Sequence, residues 1–119
     1  MAHGPRFEKL AAEAQGNVRE VSAAEAGEIY ANGGLLIDVR ESDEFSAEHA
    51  FGAQHLAGGI LAMRIEQIED DVHRPIVCYC GGGKRSAIAA ECLGRMGYEN
   101  VSSLAGGFKA WKEAGLAVE

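Results

Sequence analysis

Cysteine is scarce in this chain, and its count is odd: three residues among 119. An odd, small number does not build a disulfide framework, so a reducing compartment, the cytoplasm, is the expected setting. No run of about 18 apolar residues is present to span a bilayer, and the first residues lack the apolar core of a signal peptide. Positive charge is in the minority, with 11 Lys and Arg against 18 Asp and Glu and a net charge of -7. That balance argues against nucleic acid or an anionic membrane as partner, because phosphate binding needs a basic surface. Internal repeats and low-complexity linkers are also missing. What remains is the composition of one ordinary globular domain, long enough to bury a core.

Apolar runs and amphipathic stretches alternate along the chain. "RFEKLAAEAQ" reads as a helix, with Phe7, Leu10 and Ala14 at spacings that share a face. A short strand, "NVREVS", follows. Ser22 and Glu25 have capping-box spacing and open a helix that "NGG" stops near Asn32. "LLIDV" is apolar except for Asp38, as expected of a strand buried on both faces. Ser42 is the expected N-cap of a short acidic helix, "AQHL" a third strand, and "ILAMRIEQI" a helix presenting Ile60, Met63 and Ile68. After Pro75, "IVCY" is the fourth strand. A helix from Ser86 to Met96 carries Ile88, Ala89, Cys92, Leu93 and Met96 as its core stripe. "VSSL" and the helix "GFKAWKEA", with Phe108 and Trp111 as core, complete the pattern. Such alternation predicts an α/β domain with a mostly parallel sheet.

Chemistry concentrates in "IVCYCGGGKRSAIAA", Ile76 to Ala90. Ligands of open parallel sheets bind beyond the C-terminal strand ends, where Cys80 stands. Gly81, Gly82 and Gly83 let the backbone curl and turn N–H groups toward one point. The helix opened by Ser86 aims its positive end at the same point. Such a cradle suits an anion, and the adjacent Lys84 and Arg85 add positive charge. A thiol there is drawn toward thiolate. The expected result is a nucleophile that attacks something negatively charged, or that carries negative charge itself.

The segment Cys80–Ser86 resembles the active-site loop of the rhodanese-like sulfurtransferases, in which a cysteine opens a short loop closing on an arginine and a serine. "LLIDVRESDEF" resembles the family's Asp-Val-Arg segment, "EHAFGAQHL" its His-containing stretch, and "LAGGFKAWKEAGLAV" its C-terminal Gly-Gly and Trp signature. The resemblance implies a rhodanese-like α/β fold, a central five-stranded mostly parallel sheet flanked by helices on both faces. It spans 18–119, with 1–17 as an N-terminal helical extension. It further implies a catalytic Cys80 that takes sulfane sulfur from a small donor such as thiosulfate and holds it as a persulfide. A thiophilic acceptor, cyanide or a cellular or protein thiol, then receives it. Gly81, Gly82, Gly83, Lys84, Arg85 and Ser86 would bind substrate, with no cofactor and no metal required. The chain departs from the family pattern at Gly81, where arginine is common.

Two other readings compete. Phosphatases and arsenate reductases also pair a loop cysteine with an arginine, usually as C-x5-R; here the spacing is C-x4-R. A shorter loop suits a single sulfur atom better than a tetrahedral oxyanion. A non-catalytic binding module of the same fold would be marked by loss of the cysteine, which is present. Cys78 and Cys92 read as buried thiols, and no zinc-ligand spacing joins them to a histidine. Asp38 is expected to bond nearby backbone N–H groups, Arg40 to pair with Glu44, and His49 and His55 to be structural.

Overall fold

The computed structural model describes residues 3–119; the first two residues of the expected extension lie outside it. Among the described residues six helices and five strands alternate: α1 (Pro5–Asn17), β1 (Arg19–Val21), α2 (Ala23–Ala31), β2 (Leu35–Asp38), α3 (Ser42–Ala47), β3 (Gln54–His55), α4 (Leu61–Ile68), β4 (Ile76–Tyr79), α5 (Lys84–Arg95), β5 (Val101–Leu104) and α6 (Gly107–Glu113). The strands form one sheet in the order β1-β5-β4-β2-β3. Every pairing within it is parallel. Parallel strands must be joined by crossovers, and the helices that supply them cover both faces.

Every residue of β2 and β4 is buried, which explains why "LLID" and "IVCY" do not alternate apolar with polar. Side chains of a strand point to opposite faces in turn. Leu35, Ile37, Ile76, Cys78 and Cys80 therefore join Leu61 and Ile65 of α4 and Leu93 of α5 in one core. Leu36, Val77 and Tyr79 join Ala26 of α2 and Phe108 and Trp111 of α6 in the other. Each such Leu or Ile contributes about 1.5–3 kcal/mol by leaving water. The capping box of α2 forms as expected: Glu25 N–H donates to Ser22 Oγ and Ser22 N–H to the Glu25 carboxylate, each at 3.1 Å.

Several local expectations shift. Glu41, not Ser42, is the N-cap of α3, and its N–H donates to Glu44 Oε1 at 3.1 Å. On α4 the buried residues are Leu61 and Ile65, while Met63 is 71% exposed. The buried face is turned by about 100°, one residue, from the stripe expected: Leu61 and Ile65 replace Ile60 and Met63, and Ile68 packs on the core as expected, giving an i, i+4, i+7 face. Leu10 is exposed, and α1 buries Ala11 beside the expected Ala14. The reason is its partner: α1 packs along α5, and small side chains allow two helices to approach closely. Its ends are tied there, Glu8 to Lys84 and Asn17 Nδ2 to Glu91 at 2.8 Å. Covered by the sheet on one side and α1 on another, α5 buries Ala87, Ala89, Ala90 and Leu93. Cys92, expected in the core, is only half-buried.

Candidate active site

Cys80 directly follows β4, and its side chain is 1% exposed. Two backbone N–H groups point at its sulfur, from Gly83 at 3.1 Å and Ser86 at 3.4 Å. Ser86 Oγ lies 3.4 Å from the same Sγ and 2.8 Å from Ser103 Oγ. The sulfur thus terminates a short polar chain reaching from β5.

The three glycines are not equivalent. Only Gly83 is left-handed, with φ of +109°, and this turn starts α5 at Lys84, two residues before the expected Ser86. Lys84 and Arg85 are therefore first-turn helix residues, and Ser86 N–H is one of the free donors of that turn. Gly81 and Gly82 have ordinary backbone angles. A Cβ at Gly82 would meet nothing, and one at Gly81 would only touch the Arg85 guanidinium at 3.4 Å. The loop is held from below by the start of α6. Phe108 N–H donates to Cys80 O at 2.7 Å. A Cβ at Gly107, whose φ is +60°, would lie 2.5 Å from the carbonyl oxygens of both Cys80 and Gly81. Glycine is thus required at 107 on two counts, conformation and space.

Both cations beside the sulfur already carry a partner. Arg85 makes a bidentate pair with Glu44, at 2.8 and 3.1 Å. Hydrogen bonds from that guanidinium, with lesser help from the Glu41 N–H, outweigh desolvation and hold the Glu44 carboxyl at about 2. Reciprocally, Glu44 raises the pKa of Arg85, with the Cys80 sulfur a smaller contributor. Lys84 Nζ lies 2.7 and 2.9 Å from the Glu8 oxygens. The expected Arg40–Glu44 pair does not form. Arg40 instead binds buried Asp38, through Nη2 at 2.8 Å and its own N–H at 2.9 Å. It also donates to Glu48 O at 2.7 Å and stacks over Phe108, 4.6 Å from the ring centre. Asp38 therefore does accept a nearby backbone N–H, as expected, but its main partner is the guanidinium. His49 and His55 bond the carbonyls of Phe45 and Arg40, at 2.8 and 2.7 Å, and both stack on Phe45.

Two clefts flank the loop. One, of about 290 Å³, is lined by His3, Phe7, Cys80, Gly82, Lys84 and Arg85. The other, of about 440 Å³, lies between Gly81 and the Phe108–Glu113 face of α6. Among the described residues, no group of three or more His, Cys, Asp or Glu side chains stands ready to hold a metal ion. No helix among them is long and apolar enough to cross a membrane. Sequence reasoning missed three residues here, Glu8, Ser103 and Gly107, and gave Glu44 to Arg40 in place of Arg85. Only Gly107 left a local signal, in the Gly-Gly pair before the last helix.

A parallel α/β sheet that presents a cysteine to backbone donors at a strand end defines a class of thiol-dependent sites. Residues 22–114 match the Rhodanese-like domain family. The thiosulfate sulfurtransferase GlpE of Haemophilus influenzae is 34% identical over 101 residues, covering 85% of this chain and 94% of its own. The protein of the same name from Vibrio cholerae is 38% identical over 84 residues, covering 71% and 77%. A solved Rhodopseudomonas palustris protein, described as of unknown function and a possible tyrosine phosphatase, superposes with a TM-score of 0.82. It is 28% identical and covers 100% of this chain and 96% of its own. The chain belongs to the rhodanese-like family and is an enzyme of its sulfurtransferase type.

Proposed function

We propose that the chain transfers sulfane sulfur from a thiosulfate-like donor to a thiol through a persulfide on Cys80. The single observation that carries this reading is the convergence of the Gly83 and Ser86 N–H groups on one sulfur atom. Donors already aimed at a sulfur stabilise its negative charge without reorganising during the reaction. In the first half-reaction the Cys80 thiolate attacks the outer sulfur of thiosulfate. A new S–S bond forms, the donor's S–S bond breaks, and its electron pair leaves on sulfite. In the second, a thiolate acceptor attacks the outer sulfur of the persulfide and Cys80 departs as thiolate. No proton needs to move at the carbonyl-bonded histidines, and no cofactor or metal takes part.

Within this reading Gly81 and Gly82 leave room for the extra sulfur, Gly83 and Ser86 hold its charge, and Lys84 and Arg85 orient the donor. The catalytic domain is 18–119, with 1–17 as an extension, and the reaction belongs in the cytoplasm, where free thiols supply acceptors. The phosphatase alternative is weakened by the short loop, C-x4-R in place of C-x5-R, which suits a single sulfur atom better than a tetrahedral oxyanion.

The test is intact mass after incubation with thiosulfate and desalting. The protein gains one sulfur atom, cyanide removes it, and Cys80→Ser prevents it. A sulfur adduct that persists in Cys80→Ser, or hydrolysis of an aryl phosphate in place of any sulfur adduct, overturns the reading.

A further inference from the structure

Helix α1 precedes the segment that matches the family, 22–114, yet its first turn lines the mouth of the Cys80 cleft. Phe7, half-buried, and His3 form one wall opposite Gly82 and the two cations. Their rings lie 4.7 Å apart. The helix is fastened in that position along α5, by its buried alanines and by the Glu8–Lys84 pair.

Two features of the cleft conflict with a small dianion as its best occupant. First, the positive charge beside the sulfur is already spent: Lys84 is neutralised by Glu8 and Arg85 by Glu44. A dianion arriving there competes with a carboxylate for either cation. Second, a cleft of about 290 Å³ has room for roughly ten water-sized groups. That is far more than a small inorganic anion fills, and an aromatic side chain forms part of the wall. An apolar wall rewards a ligand that brings carbon to it.

On the sulfur-transfer reading above, we propose that α1 selects the donor. Phe7 receives the carbon body of an organic sulfane-sulfur compound, such as a thiosulfonate or an organic persulfide, while Glu8 disfavours inorganic dianions by occupying Lys84. With a thiosulfonate the chemistry is unchanged. The Cys80 thiolate bonds to the terminal sulfur, the donor S–S bond breaks, and the electron pair leaves on a sulfinate. Phe7 and Glu8 act as specificity residues here, not as catalytic ones.

The experiment compares kcat/KM for benzenethiosulfonate, an aromatic monoanion, with that for thiosulfate, using cyanide as acceptor, in the full chain and three variants. Phe7→Ala is expected to lower the benzenethiosulfonate value about tenfold, the worth of one lost aromatic contact, and the thiosulfate value by less than about twofold. Phe7→Leu, which keeps an apolar wall, retains most of the preference. Glu8→Gln is expected to raise the thiosulfate value about threefold and leave the aromatic donor nearly unchanged. Thermal melting of each variant separates loss of fold from loss of preference; if Phe7→Ala does not fold, Phe7→Gln takes its place, with the same expected loss, and Glu8→Gln is read beside it. If both donors load Cys80 and truncating Phe7 slows them equally or not at all, or Glu8→Gln leaves their ratio unchanged, the role of α1 is overturned and sulfur transfer stands. If neither donor puts sulfur on Cys80, the sulfur-transfer reading itself fails.

Discussion

Cys78 and Cys80 stand two residues apart, face the same core, and are 0% and 1% exposed. Exposure does not distinguish them. Cys78 lies within β4, where the strand N–H groups are committed to neighbouring strands, and desolvation pushes its thiol up to about 12. Cys80 lies one residue past the strand, where the chain leaves the ladder and two N–H groups turn back onto its sulfur. On the proposed reading, reactivity is made by backbone donors freed at a strand end, not by access to water. Burial penalises a bare charge and strengthens one that is already hydrogen-bonded.

The comparison breaks most severely if the loop loses its support. Gly107→Ala places a methyl against the Cys80 and Gly81 carbonyls, so the loop must shift. Displacing a reacting group by about 1 Å costs on the order of a hundredfold in turnover, read as sulfur transfer at saturating donor. Unchanged turnover in Gly107→Ala would show that the loop tolerates movement. A smaller loss is expected from Ser86→Ala, which removes the hydroxyl between Cys80 and Ser103 but keeps the backbone donor. A hydrogen bond to a charged group contributes about 1.5–3 kcal/mol, so turnover should fall by at least about tenfold. Iodoacetamide should also label Cys80 more slowly in that variant at neutral pH.

Cys78→Ala sharpens the contrast from the other side. Turnover should change by less than about twofold, while stability falls by roughly 1–2 kcal/mol for the small void left in the core. Chemical denaturation measures the loss. Folded wild-type protein should show no labelling at Cys78 at pH 8, since its thiol is held near 12. If Cys78→Ala were folded and inactive, the two thiols would act together and the contrast would collapse.

The smallest effect concerns the pair that neutralises Arg85. The Glu44 carboxyl is depressed to about 2 in the folded chain, below its value in an unfolded one. Its stabilising contribution is therefore complete above the usual carboxylate range and is lost as pH falls through about 2. Wild type should exceed Glu44→Gln in melting temperature at pH 7, and the two should converge as pH drops from about 5 toward 2. The pair is about one-third exposed, so solvent screening keeps the difference modest. A constant difference across that range would remove Glu44 from the acid response.

Much of this molecule was legible because its signals are local. The unbroken apolar runs "LLID" and "IVCY" identify strands covered on both faces, and the regular return of helix formers between strands predicts a parallel sheet. Cys80, Gly83 and Ser86 are near neighbours in the chain, so a tight turn alone brings them together. Where local signals compete, they do not decide the outcome. Both Ser42 and Glu41 can cap α3, and Met63 and Leu61 can each seed a face of α4; the surface each helix meets makes the choice.

What the sequence determined by itself is therefore the fold class, the thiol at the end of β4, and the turn that aims donors at it, since all three follow from spacing within a few residues. The tertiary structure alone decided the charge of the site. Arg85 could have paired with any of several acids, and its partner, Glu44, is 41 residues away; Glu8, which holds Lys84, is 76 residues away. Those distances close only when α3 settles at the end of the sheet and α1 packs on α5. An ion pair between remote elements carries no signature in the chain, because neither residue knows its neighbour until the packing of apolar faces has put them side by side.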